Sequence, residues 1–160
     1  MSTIKLLCER AEAHALQDQQ REPGAEHFLL AALDLPDGTA RLAFERVGVK
    51  PDALRAAIER QYDNALRSIG LNADMPADTP MSANAGVYQA APSGQEIMQE
   101  LAAARRDHSP LLGAHVVGIV AGMSHGVAAR ALRASGVDAV ALKSAADAIA
   151  ETGHAKAFDR

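Results

Sequence analysis

Several residue types are rare or absent in this chain of 160 residues, and each absence excludes a class of protein. Aromatic residues make up 3% of the sequence and tryptophan is absent, so we expect a core built from Ala, Leu, Ile and Val. The single cysteine, Cys8, excludes an internal disulfide and favours a reducing compartment. No apolar run approaches the ~18 residues of a membrane span, and no signal peptide is visible. We therefore expect a cytoplasmic protein with no membrane partner.

An excess of basic residues is also missing. The chain has 16 basic and 20 acidic residues, which gives a net charge of −4. Because phosphate binding needs a basic surface, we predict no nucleic-acid partner. A DNA-binding regulator remains the more distant alternative, since residues 39–60 could form a helix–turn–helix. Salt-dependent binding to DNA would support that alternative.

An internal repeat becomes visible when the sequence is compared with itself at a shift of 88 positions. Alanine pairs are expected by chance in an alanine-rich chain, but ordered glycine and leucine pairs indicate a duplication. The matched pairs, which need no gap, are His27 and His115, Gly38 and Gly126, Ala40 and Ala128, Ala43 and Ala131, Gly48 and Gly136, Val49 and Val137, Ala53 and Ala141, Leu54 and Leu142, and Ala57 and Ala145.

Each repeat predicts four helices. In the first repeat, apolar residues recur at helical spacing, and they indicate helices over about 4–20, 26–33, 39–47 and 51–67. The second repeat predicts helices over about 94–107, 113–122, 125–135 and 139–151. No segment alternates as a strand does, so the predicted fold is all-α.

Helix ends carry further signals. Gly48 and Gly136 stand where the third helix of each repeat is expected to end in a left-handed residue. Ser93 and Glu96 have the spacing of a capping box, which predicts that Ser93 caps its own helix. Asp138 is a suitable N-cap for the last helix.

The whole chain, residues 1–160, is predicted to be one domain. Repeat one covers about 1–69 and repeat two about 93–152, and a C-terminal tail follows at about 153–160. Small residues and prolines mark residues 70–92 as a linker. Its expected role is to let the second repeat fold back on the first, with a functional lid as the alternative.

Two segments resemble a known family. Residues 24–33, Gly-Ala-Glu-His-Phe-Leu-Leu-Ala-Ala-Leu, are similar to the G-T-E-H-L-L-L-A/G-L signature of the Clp N-terminal domain, which precedes the ATPase rings of the ClpA, ClpB and ClpC unfoldases. Residues 113–117 carry the signature more weakly, and residues 126–132 match the family's G-V-A-A-R-x-L segment. The resemblance, over about 4–149, implies a pseudo-twofold pair of four-helix repeats.

The resemblance also implies partners: a Clp ATPase, an adaptor, or a client protein or peptide. Some ClpC-type members bind phosphoarginine through the glutamate of each signature, and some bind cyclic peptides. Here Glu26 is retained and Ala114 replaces the second glutamate, which implies one phosphoarginine site at most. The ATPase phosphate loop, G-x-x-x-x-G-K-[ST], is absent from the 160 residues. We therefore expect a stand-alone binding module that acts as an accessory, adaptor or decoy in Clp-dependent proteolysis.

Candidate contact residues lie in the first signature and in the linker. Glu26 is the candidate carboxylate. Met81 and Tyr88 could line an adaptable groove or tuck the linker onto the repeats, and the resemblance places Tyr88 beside the groove between repeats. His27 and His115 are predicted to be structural, each bonding a neighbouring backbone or carboxylate group.

Enzymatic motifs are missing from the sequence. Residues 122–126, Gly-Met-Ser-His-Gly, match the G-x-S-x-G elbow of hydrolases, which requires a turn between a strand and a helix. Here the segment aligns with residues 34–38, a predicted turn between two helices. The histidines show no metal-binding spacing such as H-E-x-x-H. We predict no catalytic residue, no metal and no cofactor.

Overall fold

Eight helices form the described part of the chain. The structure is a computed structural model, and it describes residues 3–68, 91–107, 112–124 and 126–158. These ranges contain no strand, which confirms the all-α prediction. The helices are α1 (Thr3–Gln17), α2 (Ala25–Leu33), α3 (Thr39–Arg46), α4 (Pro51–Ser68), α5 (Pro92–Asp107), α6 (Gly113–Ala121), α7 (Val127–Ala134) and α8 (Ala139–Phe158).

Helices of the first set of four pack directly against helices of the second set. α2 contacts α6 at the centre, and the third helix of each set packs against the fourth helix of the other set, α3 on α8 and α4 on α7. α1 lies on α2, while α5 contacts both central helices. One core cluster therefore contains residues of both sets, and the repeats share a single hydrophobic core.

Aromatic rings are the largest side chains in this core. Phe28 and Phe44 are both 0% exposed, so the expectation of a purely aliphatic core is wrong. Small residues around the rings let the helices approach closely. A Cβ at Gly113 would lie 3.0 Å from the carbonyl oxygen of Ala32, so glycine at this position allows the start of α6 to contact the backbone of α2.

Glycine ends the third helix of each repeat. Gly48 has φ +75° and Gly136 has φ +76°, a region that side chains with a Cβ disfavour. In both turns the N–H of the residue after the glycine donates a hydrogen bond back into the helix. Val49 donates to the Phe44 oxygen at 3.1 Å, and Val137 donates to the Leu132 oxygen at 3.0 Å. These bonds belong to Schellman motifs. The sequence match between the repeats thus extends to the backbone of these turns.

The first helix ends earlier than its sequence pattern predicts. α1 stops at Gln17 rather than at about 20. Gln19 adopts φ 59°, and the Gln20 N–H bonds back to the Ala15 oxygen at 2.8 Å. The helix therefore ends through a left-handed glutamine, and no glycine marks the position in the sequence.

Two boundaries in the second half also differ from the prediction. α5 begins at Pro92, inside the predicted linker, because proline fits the first position of a helix. α8 continues to Phe158 instead of ending at about 151, so most of the predicted tail is helical. A glycine inside a helix costs only about 1 kcal/mol relative to alanine, and Gly153 lies in an alanine-containing stretch that sustains the helix.

Candidate partner-binding site

The candidate site is built around the first turn of α2. Gly24 is the N-cap, with an extended backbone at φ −99° and ψ −177°. Glu26 and His27 follow in the first turn and are 5% and 0% exposed. A carboxylate in this turn is stabilised by the partial positive charge of the helix N-terminus, which offsets part of the cost of burying it.

Tyr62 of α4 covers the carboxylate. Its hydroxyl donates a hydrogen bond to Glu26 Oε1. Its half-buried ring stacks on the imidazole of His27, with centroids 6.1 Å apart and planes at 15°. Burial, and then the negative charges of Glu26 and Asp18, raise the pKa of the Tyr62 hydroxyl well above its usual value. Tyr62 therefore keeps its proton and remains a hydrogen-bond donor to Glu26.

Ser93 of α5 is the third polar group at the site. Its Oγ accepts a hydrogen bond from the Ala25 N–H at 3.0 Å. A Cβ at Gly24 would lie 2.8 and 2.9 Å from the two carboxylate oxygens of Glu26, and 3.0 Å from Ser93 Oγ. A side chain at this position would therefore require the Glu26 carboxylate and the Ser93 hydroxyl to shift.

The predicted capping role of Ser93 is therefore wrong. α5 begins at Pro92 rather than at about 94, which places Ser93 inside its first turn. The hydroxyl is directed to the N-terminus of α2, a helix of the other repeat. The sequence showed a capping serine but not the helix that it caps.

His27 joins the start of α2 to the end of α1. Its Nδ1 accepts a hydrogen bond from the Gly24 N–H at 3.0 Å, and its Nε2 lies 3.0 Å from Asp18 Oδ2. Because Nδ1 is an acceptor, the neutral ring carries its proton on Nε2 and donates it to Asp18. In α6, His115 Nδ1 likewise accepts from the Leu112 N–H at 2.9 Å.

The equivalent place in the second repeat has neither the carboxylate nor the tyrosine. At the shift of 88 positions, Glu26 corresponds to Ala114 and Tyr62 to Ala150. Both alanines are buried, at 0% and 7% exposure. Both members of the bonded pair therefore differ between the two repeats.

Residues of the first repeat cap α6 in return. Asp37 Oδ2 accepts from the Gly113 N–H at 3.0 Å, and Thr39 Oγ1 accepts from the Ala114 N–H at 2.8 Å. Ser93 does the same for α2. The first turn of each central helix is therefore capped by a polar side chain of the other repeat. This exchange of caps fixes how the two repeats sit on each other.

Of the predicted contact residues, only Glu26 lies among those that the structure describes. Met81 and Tyr88 fall within 69–90, outside the described residues. Sequence reasoning missed Tyr62 and Asp18. Tyr62 had a usable signal, because it is one of only two tyrosines and its counterpart is lost together with that of Glu26.

A family model matches residues 3–87: the Clp repeat (R) N-terminal domain. The match covers more than half of the 160 residues and includes α1 to α4, with Glu26 and Tyr62. The chain belongs to the Clp N-terminal domain family. Clp N-terminal domains are non-catalytic modules that bind proteins and adaptors. No curated protein matches the chain significantly.

Two further features of this Clp N-terminal domain concern membrane spans and the hydrolase-like motif. No helix in the described ranges is both long enough and apolar enough to cross a membrane. Ser124, the serine of the G-x-S-x-G match, is exposed and lies between α6 and α7. The flanking elements are helices, so the strand that a hydrolase elbow requires is not next to it.

Proposed function

We propose that this Clp N-terminal domain is a non-enzymatic peptide- or protein-binding module that serves as an accessory, adaptor or decoy in Clp-dependent proteolysis in the cytoplasm. Its partner would be a Clp ATPase, an adaptor, or a client protein or peptide. The family match over residues 3–87 carries the proposal. The 160 residues contain no phosphate-loop motif, so within them binding is the activity to expect.

Glu26 is the group that we expect a partner to use. It lies where both repeats meet, next to Tyr62 of α4 and close to Ser93 of α5. A cationic group that displaced the Tyr62 hydroxyl would keep a charge-assisted hydrogen bond to the carboxylate and add the attraction between opposite charges, which a phenol does not supply. Partner binding would then release the Tyr62 ring from His27, and the ring would become available as an aromatic contact.

A second candidate function is the capture of phosphoarginine, or of a cyclic peptide, at a single site. The observation that favours it is the asymmetry between the repeats. The first keeps Glu26 with Tyr62, whereas the second has Ala114 and Ala150 in their places. A guanidinium needs a carboxylate for a bidentate contact, so one ligand is expected per chain.

The first test compares capture by the wild-type protein with capture by Glu26→Gln. The immobilised proteins are exposed to a lysate of the host, and bound proteins are quantified by mass spectrometry. We expect a Clp ATPase, an adaptor or a client set to be enriched on the wild type and depleted on Glu26→Gln. Val140 is 76% exposed on α8, so Val140→Ser serves as the matched control and should capture as the wild type does.

Tyr62→Phe sharpens this test. It removes the hydroxyl that competes for Glu26, so a cationic partner should bind severalfold more tightly than to the wild type. Equal capture by the wild type and Glu26→Gln would exclude Glu26 as the contact. Capture of no Clp component by any variant would contradict the proposed function.

Calorimetry with phosphoarginine tests the second candidate. One site per chain that disappears in Glu26→Gln would support it. Two sites, or one that survives the substitution, would contradict the assignment to Glu26.

A further inference from the structure

A cavity of about 370 Å³ lies between α5, α6 and α8. It is lined by residues of the second repeat and shares none with the Glu26 site. Gly118 and Gly122 form part of its wall, and Ile119 and Met123 supply half-buried apolar surface. Its volume falls in the range of ligand pockets, about 300–1,000 Å³, and is large enough for one long side chain.

Larger side chains occupy the equivalent place in the first repeat. Gly118 corresponds to Leu30, which is 4% exposed, and Gly122 corresponds to Asp34. The Asp34 carboxylate lies 2.6 Å from His14 Nε2. The second repeat thus has glycines where the first has a buried leucine and a bonded aspartate, and this accounts for the open space.

A guanidinium group lies against this region of the first repeat. Arg55 of α4 donates from Nη1 to His14 Nδ1 at 3.0 Å and from Nη2 to Gln17 Oε1 at 2.5 Å. Its Nε lies 3.5 Å from Glu59 Oε1. An arginine of the first repeat therefore joins its fourth helix to its first helix.

The second repeat has no equivalent arginine. Arg55 corresponds to Lys143, whose Nζ lies 3.6 Å from Asp147 Oδ2 on the same helix. A Cβ at Gly118 would lie 2.8 Å from Asp147 Oδ1, so the glycine lets this carboxylate reach α6. Lys143 is therefore paired at the α8 side of the cavity.

Carboxylates dominate the remaining polar lining. Glu96 and Glu100 lie one turn apart on α5, border the cavity and are exposed. Among the described side chains, neither has an ion-pair or hydrogen-bond partner. Lys143 is the one described cation in the lining, and Asp147 already pairs with it. The cavity thus combines an apolar floor with a negative wall.

We propose that this cavity docks an arginine side chain from a basic segment of a partner protein, at a site separate from Glu26. The aliphatic stem would lie on Ile119 and Met123, and the guanidinium would bond Glu96 and Glu100. The one described cation of the lining, Lys143, already pairs with Asp147 and so does not offset the charge of a phosphate group, which makes unmodified arginine the expected ligand. This inference rests on the proposed function, because it assumes that the domain binds a protein.

The test uses a fluorescent hexapeptide with two arginines separated by one leucine, and the same peptide with citrulline, its neutral isostere. Fluorescence anisotropy at low salt should show the arginine peptide binding the wild type at least tenfold more tightly than the citrulline peptide. The double variant Glu96→Gln with Glu100→Gln, which lacks both charges, should bind the arginine peptide roughly tenfold more weakly than the wild type.

A cavity-filling variant provides an independent test. Gly122 has φ −78° and ψ −10°, which any residue adopts, and a Cβ there would lie no closer than 3.4 Å to another atom. Gly122→Leu should therefore fold and abolish peptide binding. Thermal melting followed by circular dichroism checks the fold of each variant.

Glu26→Gln separates this inference from the proposed function, and it should leave the peptide affinity unchanged. Peptide binding that is lost in Glu26→Gln but kept in the double glutamine variant would show that the peptide binds at Glu26 of α2. That result would overturn the inference and leave the proposed function standing. Equal binding of the citrulline peptide, preference for a phosphoarginine peptide, or no binding by the wild type would also overturn it.

Discussion

The two central helices, α2 and α6, occupy equivalent places but carry different side chains. Where α2 has Glu26, Phe28 and Leu30, α6 has an alanine, a valine and a glycine. Each difference removes volume or charge from the second repeat. The turn that ends the third helix is alike in both repeats, as the φ angles of Gly48 and Gly136 show, whereas the matched pair Gly38 and Gly126 differ, with ψ 2° and 179°. The two halves thus share the order of their helices and differ in the volume and charge of their central helices.

The Glu26 site and the cavity beside Gly122 lie at opposite ends of the central helices. In the first repeat the charged group stands at the start of α2, where the helix dipole stabilises Glu26. In the second repeat the open space lies at the end of α6, around Gly122. The two surfaces share no residue, so under the two proposals above each would be occupied independently of the other.

The largest expected difference between the repeats lies in the core. Phe28 and Val116 are counterparts and are 0% and 2% exposed. Phe28→Ala should lower the free energy of unfolding by about 3–5 kcal/mol, and Val116→Ala by about 2 kcal/mol. Urea denaturation monitored by circular dichroism measures both. Equal losses would show that the smaller side chains of α6 are compensated elsewhere.

Removal of the Tyr62 hydroxyl is the next largest change. Tyr62→Phe leaves the buried Glu26 carboxylate without this donor, which should cost about 1–3 kcal/mol. In a Glu26→Ala background the same substitution should cost little, because repeat two packs alanines at both positions. A double-mutant cycle measures the coupling between the two groups. Additive losses would mean that the hydroxyl and the carboxylate do not support each other.

The titration of Tyr62 gives the same pair a pH dependence. Its pKa is raised in the folded protein, so folding favours the protonated phenol. This contribution to stability is fully present below the unfolded value of about 10 and is lost as the pH rises above it. Wild-type stability should thus fall above about pH 10 by more than that of Tyr62→Phe. Parallel pH profiles for the two proteins would contradict the assignment.

The exchanged caps should contribute smaller and similar amounts. Ser93→Ala leaves the Ala25 N–H without its acceptor, and Thr39→Val does the same to the Ala114 N–H. Loss of a helix cap costs about 1 kcal/mol. Thermal denaturation of both variants measures the effect. A loss confined to one variant would show that the repeats depend on their exchanged caps unequally.

The smallest expected effect is a gain in stability. Gly122 has an ordinary helical conformation, so Gly122→Ala should raise the free energy of unfolding by about 0.4–1 kcal/mol. The gain arises because alanine lowers the conformational entropy of the unfolded chain. Gly118→Ala is the matched control in the same cavity. Its Cβ would lie 2.8 Å from Asp147 Oδ1, the end of an exposed side chain, so its gain in stability should be reduced by the cost of rotating Asp147 away. An equal gain in both variants would show that Asp147 moves aside freely.

Local signals predicted most of the backbone. The glycine turns at Gly48 and Gly136, and the cap at Asp138, depend on residues within a few positions of each other, and Asp138 Oδ1 does accept from the Val140 N–H at 3.0 Å. Predictions failed where no local residue carried the signal. Gln19 ends α1 without a glycine, and α8 passes the position where a tail was expected.

The sequence by itself predicted the all-α class and the internal repeat and showed a single signature glutamate, because periodicity, matched glycines and the missing second glutamate can be read along the chain. Only the tertiary structure decided what surrounds that glutamate. Tyr62 lies 36 residues from Glu26, and Ser93 lies 68 residues from the Ala25 N–H that it caps. Such contacts depend on how helices of the two repeats pack, and no pattern within one helix contains that information. The cavity beside Gly118 and Gly122 has the same origin, since three helices must meet before the missing side chains become an open space.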